Sequence, residues 1–170
     1  MKEELIKEFL DQSVDRIDYN TPRIIKCMNE LEEEDIWKRP NNSSNSVGNL
    51  ILHLCGNITQ YIISSLGESP DIRERENEFS ATGGYSKSEL IDKLKLVVQK
   101  ATDIIQNMST ENLLRKRAVQ GFQYSGISII IHVTEHYSYH TGQITFWTKL
   151  LKNKDLGFYA DFDLNKKNAD

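Results

Sequence analysis

The sequence predicts an all-α fold, a four-helix bundle with a long connection between its second and third helices. Three observations carry that expectation. Four long segments place apolar residues at steps of three and four, no repeated strand pattern competes with them, and 170 residues suit a single domain, here 1–170. A domain of this size buries roughly 70% of the surface its unfolded chain exposes. Its core therefore needs neither disulfides nor structural metal.

The first helix is expected from Lys2 to about Leu31, with Leu5, Phe9, Val14, Ile17, Ile24, Met28 and Leu31 on one face. Pro22 interrupts it, and the reading is one kinked helix rather than a restart capped by Thr21. Lys38 to Ser46, rich in Asn and Ser around Pro40, reads as a loop ending in a cap, with Trp37 tucked under the end of the bundle. The second helix, from about Val47 to Leu66, is strongly apolar and stops at Gly67. Gly67 to Tyr85 is the long connection; its run of alternating charge makes it a candidate lid or rim, since loops beyond about 12–15 residues are usually functional or disordered.

Ser86 and Glu89 form a capping box for the third helix, whose Leu90, Leu94, Val98, Ala101 and Ile105 make one stripe ending near Met108. Ser109, Thr110 and Glu111 start a further turn, and Arg115 to Ser125 reads as extended. The last helix runs from Ile127 to about Leu151. The tail, 153–170, is expected to be partly flexible, with Phe158, Tyr159 and Phe162 as docking points.

Composition bounds the partners. With 21 Lys plus Arg against 25 Asp plus Glu, a net charge of -4 and no basic patch, a nucleic-acid partner is not expected. No window approaches the ~20 apolar residues of a membrane span, and MKEELIKEFLDQS lacks a signal-peptide core. A soluble cytoplasmic protein without a membrane partner is the expectation. Cys27 and Cys55 form no CxxC pair and read as reduced, buried thiols.

The histidines carry the chemical signal. Three of the four, His132, His136 and His140, fall within nine residues. On a helix, residues four apart advance by about 40° and about 6 Å, so the three form a slowly winding ridge. A neighbouring pair can share one divalent ion, with a third ligand from another helix. His53, inside the most apolar helix, is the histidine left to supply it. His132 and His140 stand about 80° and 12 Å apart, too far for one ion, so one ridge member is spare and spacing leaves open which. An all-imidazole set suits transition metals, zinc or nickel first, rather than magnesium or calcium. Three protein ligands leave a position open for water or a small-molecule substrate.

Other residues share these faces. Asn57 and Gln60 follow His53 by one and two turns, and Gln143 follows His140; each is a candidate to orient a ligand or bind substrate. His132 to His136 also matches the H-x-x-E-H pattern of some metalloproteases, with Glu135 as general base. The short match, the small chain and the lack of an evident cleft weigh against that, leaving Glu135 as a partner of a ligand or a solvated residue.

Three segments, NSVGNLILHLCGNITQYI (45–62), DIRERENEF (71–79) and IHVTEHYSYHTGQI (131–144), resemble the DinB-like metal-binding superfamily of four-helix bundles, and within it a subfamily of unassigned function. The resemblance covers most of the chain. It implies that His53, His136 and His140 hold the metal and that His132 is the spare member. The superfamily includes S-transferases using bacillithiol or glutathione and a mycothiol-dependent isomerase, in which a divalent ion activates a low-molecular-weight thiol. The resemblance thus implies a metal-dependent thiol S-transferase acting on a small electrophile. Arg73 and Arg75 are candidates for a mobile rim that attracts an anionic thiol, the plain reading of that charge run being a solvated loop. The resemblance also implies a homodimer formed through bundle helices. The alternative is a non-enzymatic metal- or ligand-binding bundle.

Overall fold

Apolar residues three and four apart put one dry face on each long helix, and burying those faces against one another sets the architecture. The computed structural model describes residues 1–168; the last two residues of the expected flexible tail lie outside them. α1 spans Lys2–Glu30, α2 Glu33–Ile36, α3 Val47–Ile58, α4 Arg75–Ser80, α5 Lys87–Gln106, α6 Thr110–Leu114 and α7 Gly126–Lys152. The class is all-α, with a two-stranded hairpin added. α1 packs against α5 and α7, and α3 packs against the same two helices.

α1 buries Leu10, Val14, Ile17, Ile24 and Met28 and runs through Pro22 as one helix. Thr21 Oγ1 lies 2.8 Å from Tyr137 Oη, a buried tie between α1 and α7. Ser46 caps α3 and exchanges bonds with Asn49, closing a capping box. Beyond Ile58 the same rod continues as a π-helical turn, Thr59–Ser64; hydrophobic spacing does not distinguish this wider turn from an α-turn. Such turns often occur at functional sites. Trp37 tucks in as expected, its ring across Gly48 and its Nε1 donating to Tyr85 O at 3.1 Å.

The Gly67–Tyr85 connection is not a bare loop, because it contains α4. Residues 115–125 are extended as the sequence suggested: β1 (Lys116–Val119) pairs antiparallel with β2 (Phe122–Ser125), with Val119 opposite Phe122. The turn between them, Gln120 and Gly121, has φ of 50° and 84°, the doubly left-handed form that matches strand twist. In the tail, Leu156 is buried and the Arg23 guanidinium lies 5.1 and 4.8 Å from the ring centres of Phe158 and Tyr159. Phe162 is exposed, so it is not a docking point. Cys27 and Cys55 are free and buried. Among the described residues, no helix is long and apolar enough to cross a membrane.

Candidate metal centre

α3 presents His53 to the face of α7 that carries His136 and His140. One ring nitrogen from each of the three lies within 4.8 Å of the other two. His53 Nε2 and His136 Nε2 are 2.8 Å apart. Two imidazoles bound at about 2.0–2.1 Å to one tetrahedral ion would stand about 3.3 Å apart, so the observed spacings bracket what an ion requires. His53 and His140 are 6% and 8% exposed, and His136 is half-buried.

The far sides of two rings decide which nitrogens face inward. His53 Nδ1 meets Glu78 Oε2 at 2.9 Å, and His140 Nδ1 meets Gln143 Oε1 at 2.7 Å. Both oxygens accept only, so each Nδ1 carries a proton, and in the neutral form that a metal ligand takes each Nε2 offers its lone pair. With His53 in that form His136 Nε2 donates across the 2.8 Å contact, and an ion would replace that proton. Burial, reinforced by neighbouring imidazoles, pulls His136 down to about 3. Burial likewise lowers His140 to about 4, against the opposing bond to Gln143. Both rings are therefore neutral near pH 7, as ligands must be. The donor set fits a divalent transition metal.

Glu78 is the residue that pattern reading missed. Burial alone would raise its carboxyl, but the bonds from Arg73 and His53 outweigh that and hold it below the usual carboxylate range. Arg73 grips it bidentately, Nε to Oε1 at 2.7 Å and Nη2 to Oε2 at 2.8 Å, while Nη1 donates to Gln60 Oε1 at 2.9 Å. Arg73 Nη2 also lies 3.2 Å from His53 Nδ1; both are donors, and Glu78 Oε2 is the acceptor they share. The Arg73 side chain is only 3% exposed. Arg73 borders the cleft beside the histidines, but its guanidinium is engaged by Glu78 and Gln60 rather than free on an exposed rim. Arg75 does lie on the rim, exposed and stacked over Phe79 at 4.7 Å. A run of alternating charge normally marks a solvated loop, which hid Glu78; the signal that could have found it is Gly56, a glycine inside an apolar helix three residues after His53.

The remaining candidates divide. Gln143 orients a histidine of the cluster. Asn57 is 3% exposed and its Nδ2 lies 3.4 Å from His132 Nε2, while its Oδ1 is buried without a partner. His132 stands outside the cluster, stacked between Tyr61 and His136 at ring distances of 4.4 and 5.4 Å. Burial lowers its pKa below the ordinary histidine value. Because His132 is not in the cluster, the two histidines of the H-x-x-E-H pattern do not meet at one centre; Glu135 is exposed, turned about 100° from its adjacent residue His136. Cys55 also stays outside, its thiol pushed up to about 12 by burial.

Beside the three rings lies a cleft of about 400 Å³ lined by Asn57, Arg73, Arg75, Gln120, Phe122 and His132 as well as His53 and His136. The hairpin forms its outer wall, where Tyr61 Oη donates to Gln120 Oε1 at 2.8 Å.

A family model described as a protein of unknown function, DUF1572, matches residues 4–160. The chain belongs to the DUF1572 family. Solved structures similar to this DUF1572 member include two DinB-like proteins. YjoA from Bacillus subtilis is 14% identical over 85% of this chain and 94% of its own, with a TM-score of 0.65. A DinB-like protein from Bacillus cereus is 15% identical over 83% and 91%, with a TM-score of 0.66. A conserved protein from Enterococcus faecalis is 16% identical over 89% and 97%, with a TM-score of 0.65. At such identities the likeness establishes the fold alone. No curated protein matches the chain in sequence.

Proposed function

We propose that this DUF1572 chain is a divalent-metal-binding protein of DinB-like four-helix-bundle type, with His53, His136 and His140 as ligands and zinc or nickel as the ion. The observation that carries the reading is the convergence of three imidazole nitrogens within 4.8 Å, two of them fixed in tautomer by Glu78 and Gln143. The ion, when bound, supplies Lewis-acid activation, lowering the pKa of a water or thiol placed on it. The protein's own part is to hold the three rings in place and offer the adjoining cleft to a small molecule.

Within that reading we propose metal-dependent transfer of a low-molecular-weight thiol to a small electrophile, which the DinB-like resemblance suggests; the alternative is a binding bundle without catalysis. Because Arg73 is committed to Glu78, an anionic group on such a thiol would meet Arg75 and the amide of Gln120 instead. A homodimer is part of the proposal, with exposed Ile131, Tyr139, Phe146 and Leu150 along α7 as its apolar face.

The test is uptake of Zn²⁺ or Ni²⁺ by the purified chain, read by elemental analysis after dialysis. About one ion per chain is expected; no uptake of either ion ends the reading. A panel of thiols with a model electrophile, run with and without metal, then separates transferase from binding bundle. Light scattering reads the oligomeric state.

A further inference from the structure

The Glu78–Arg73 pair rests on α3 at a turn where that helix presents no side chain, at Gly56. A Cβ on Gly56 would fall 1.9 Å from Glu78 Oε1, 2.7 Å from its Cδ and 2.9 Å from Arg73 Nε. Gly56 lies in regular helix, so its backbone does not call for glycine, and glycine there costs the helix about 0.5–1 kcal/mol relative to alanine. The close approach accounts for it. Asn49, two turns earlier, donates its Nδ2 to Glu78 O at 2.9 Å and to Ala81 O at 2.7 Å. Gln60, one turn later, accepts from Arg73. Asn49, His53, Gly56 and Gln60 follow at steps of four, three and four, which is one face of the rod. The 71–80 segment is therefore strapped along the face from which His53 projects, and its carboxylate fixes the His53 ring.

We infer that Gly56 is a positioning residue for the three-histidine centre: by admitting the Glu78–Arg73 pair against α3 it couples docking of the 71–80 segment to the affinity for the ion. The inference rests on the proposed ligand role of His53, His136 and His140. Coupling of this kind is reciprocal: docking tightens ion binding, and the ion secures docking.

Gly56→Ala in the full chain breaks the notch without touching a ligand. Zn²⁺ is the probe, with affinity read by competition against a chelator and docking by hydrogen exchange of the 75–80 amides. The variant should bind Zn²⁺ about 10–100-fold more weakly, the range for lost partners of metal ligands. Its metal-free melting temperature should fall, but by no more than that of Glu78→Ala, because the same buried pair is displaced while alanine is the better helix former. A defect of general packing would instead raise exchange throughout the chain and not at 75–80 alone. In the parent, Zn²⁺ should slow exchange at 75–80; in Gly56→Ala it should not. Combined with Glu78→Ala, Gly56→Ala should add no further loss, since both act through one contact. Glu78→Gln, which keeps the shape and removes the charge that holds Arg73, should lose affinity even if Glu78→Ala folds poorly. Unchanged Zn²⁺ affinity in Gly56→Ala, or losses that multiply in the double variant, overturns the inference while the metal reading stands. If the parent itself takes up no Zn²⁺, the metal reading fails and the inference with it.

Discussion

Two segments wall the cleft beside the histidines, and they are built on opposite principles. On one side, residues 71–80 are fastened by a buried ion pair and by the carboxamide of Asn49. On the other, the 116–125 hairpin is anchored at its base by Arg117 bonded to Asn112 and by buried Val119, while its cleft-facing end is held by the Tyr61–Gln120 bond and by stacked rings, with Phe122 half in solvent and Phe122, Tyr124 and His132 spaced 5.5 and 6.4 Å apart. A buried charged pair is costly to break, because either partner left alone is an uncompensated charge; an exposed aromatic stack shifts at little cost. The inner wall is thus suited to hold ligand geometry and the outer wall to adapt to whatever enters.

The comparison can be broken at its shared centre. His136→Ala should abolish Zn²⁺ binding, whereas His132→Ala, which removes the hairpin's stacking partner, should leave most of it; isothermal titration of both variants reads the difference. A His132 variant that loses the ion while His136→Ala keeps it would reverse the ligand assignment.

Next in size is the inner wall. Glu78→Ala leaves Arg73 buried without its counter-charge, a change that typically costs about 3–5 kcal/mol. Urea denaturation of the metal-free protein should show a loss of that order. A loss below about 1 kcal/mol would mean the pair is solvated in solution and the contrast between the walls is false.

Acid provides a third test. His136 and His140 sit at about 3 and about 4 in the folded chain against about 6.5 when unfolded. Below pH ~6.5 the unfolded chain takes up protons that the folded rings refuse, so metal-free stability falls as pH drops, down to the folded values. The melting temperature should decline by several degrees between pH 7 and 5, and the decline should be shallower in His136→Ala. Glu78, whose carboxyl is depressed, contributes its loss at lower pH, below the ordinary carboxylate value. Equal slopes in parent and variant would remove His136 from the account.

The smallest effect belongs to the outer wall. Tyr61→Phe deletes one bond to an exposed residue and should cost about 1 kcal/mol or less, with Zn²⁺ affinity within about twofold of the parent. A larger drop in affinity would show that the hairpin also sets ligand geometry.

The sequence made some of this legible and concealed the rest for physical reasons. Helix faces repeat every three or four residues, so the long helices and the ridge of His132, His136 and His140 were readable from local spacing. The choice among ridge members was not: it depends on where α3 sets His53, and the resemblance, not the spacing, favoured His136 and His140. Glu78 lies 25 residues from His53, inside a charged run whose members Glu74, Arg75, Glu76 and Asn77 are exposed. Only the packing of α4 on α3 distinguishes it from them. The π-helical turn that brings Tyr61 under His132 leaves no trace in hydrophobic periodicity.

The hairpin turn has a consequence for anyone who alters this protein. Gln120 adopts a left-handed conformation that an ordinary L residue enters at a penalty of roughly 1–2 kcal/mol, and the reach of its side chain is what Tyr61 uses. Gln120→Gly would relax the backbone and cut the tether in one step. A library screened for heat resistance would enrich that change, and the same library screened for retention of a small molecule in the cleft would discard it.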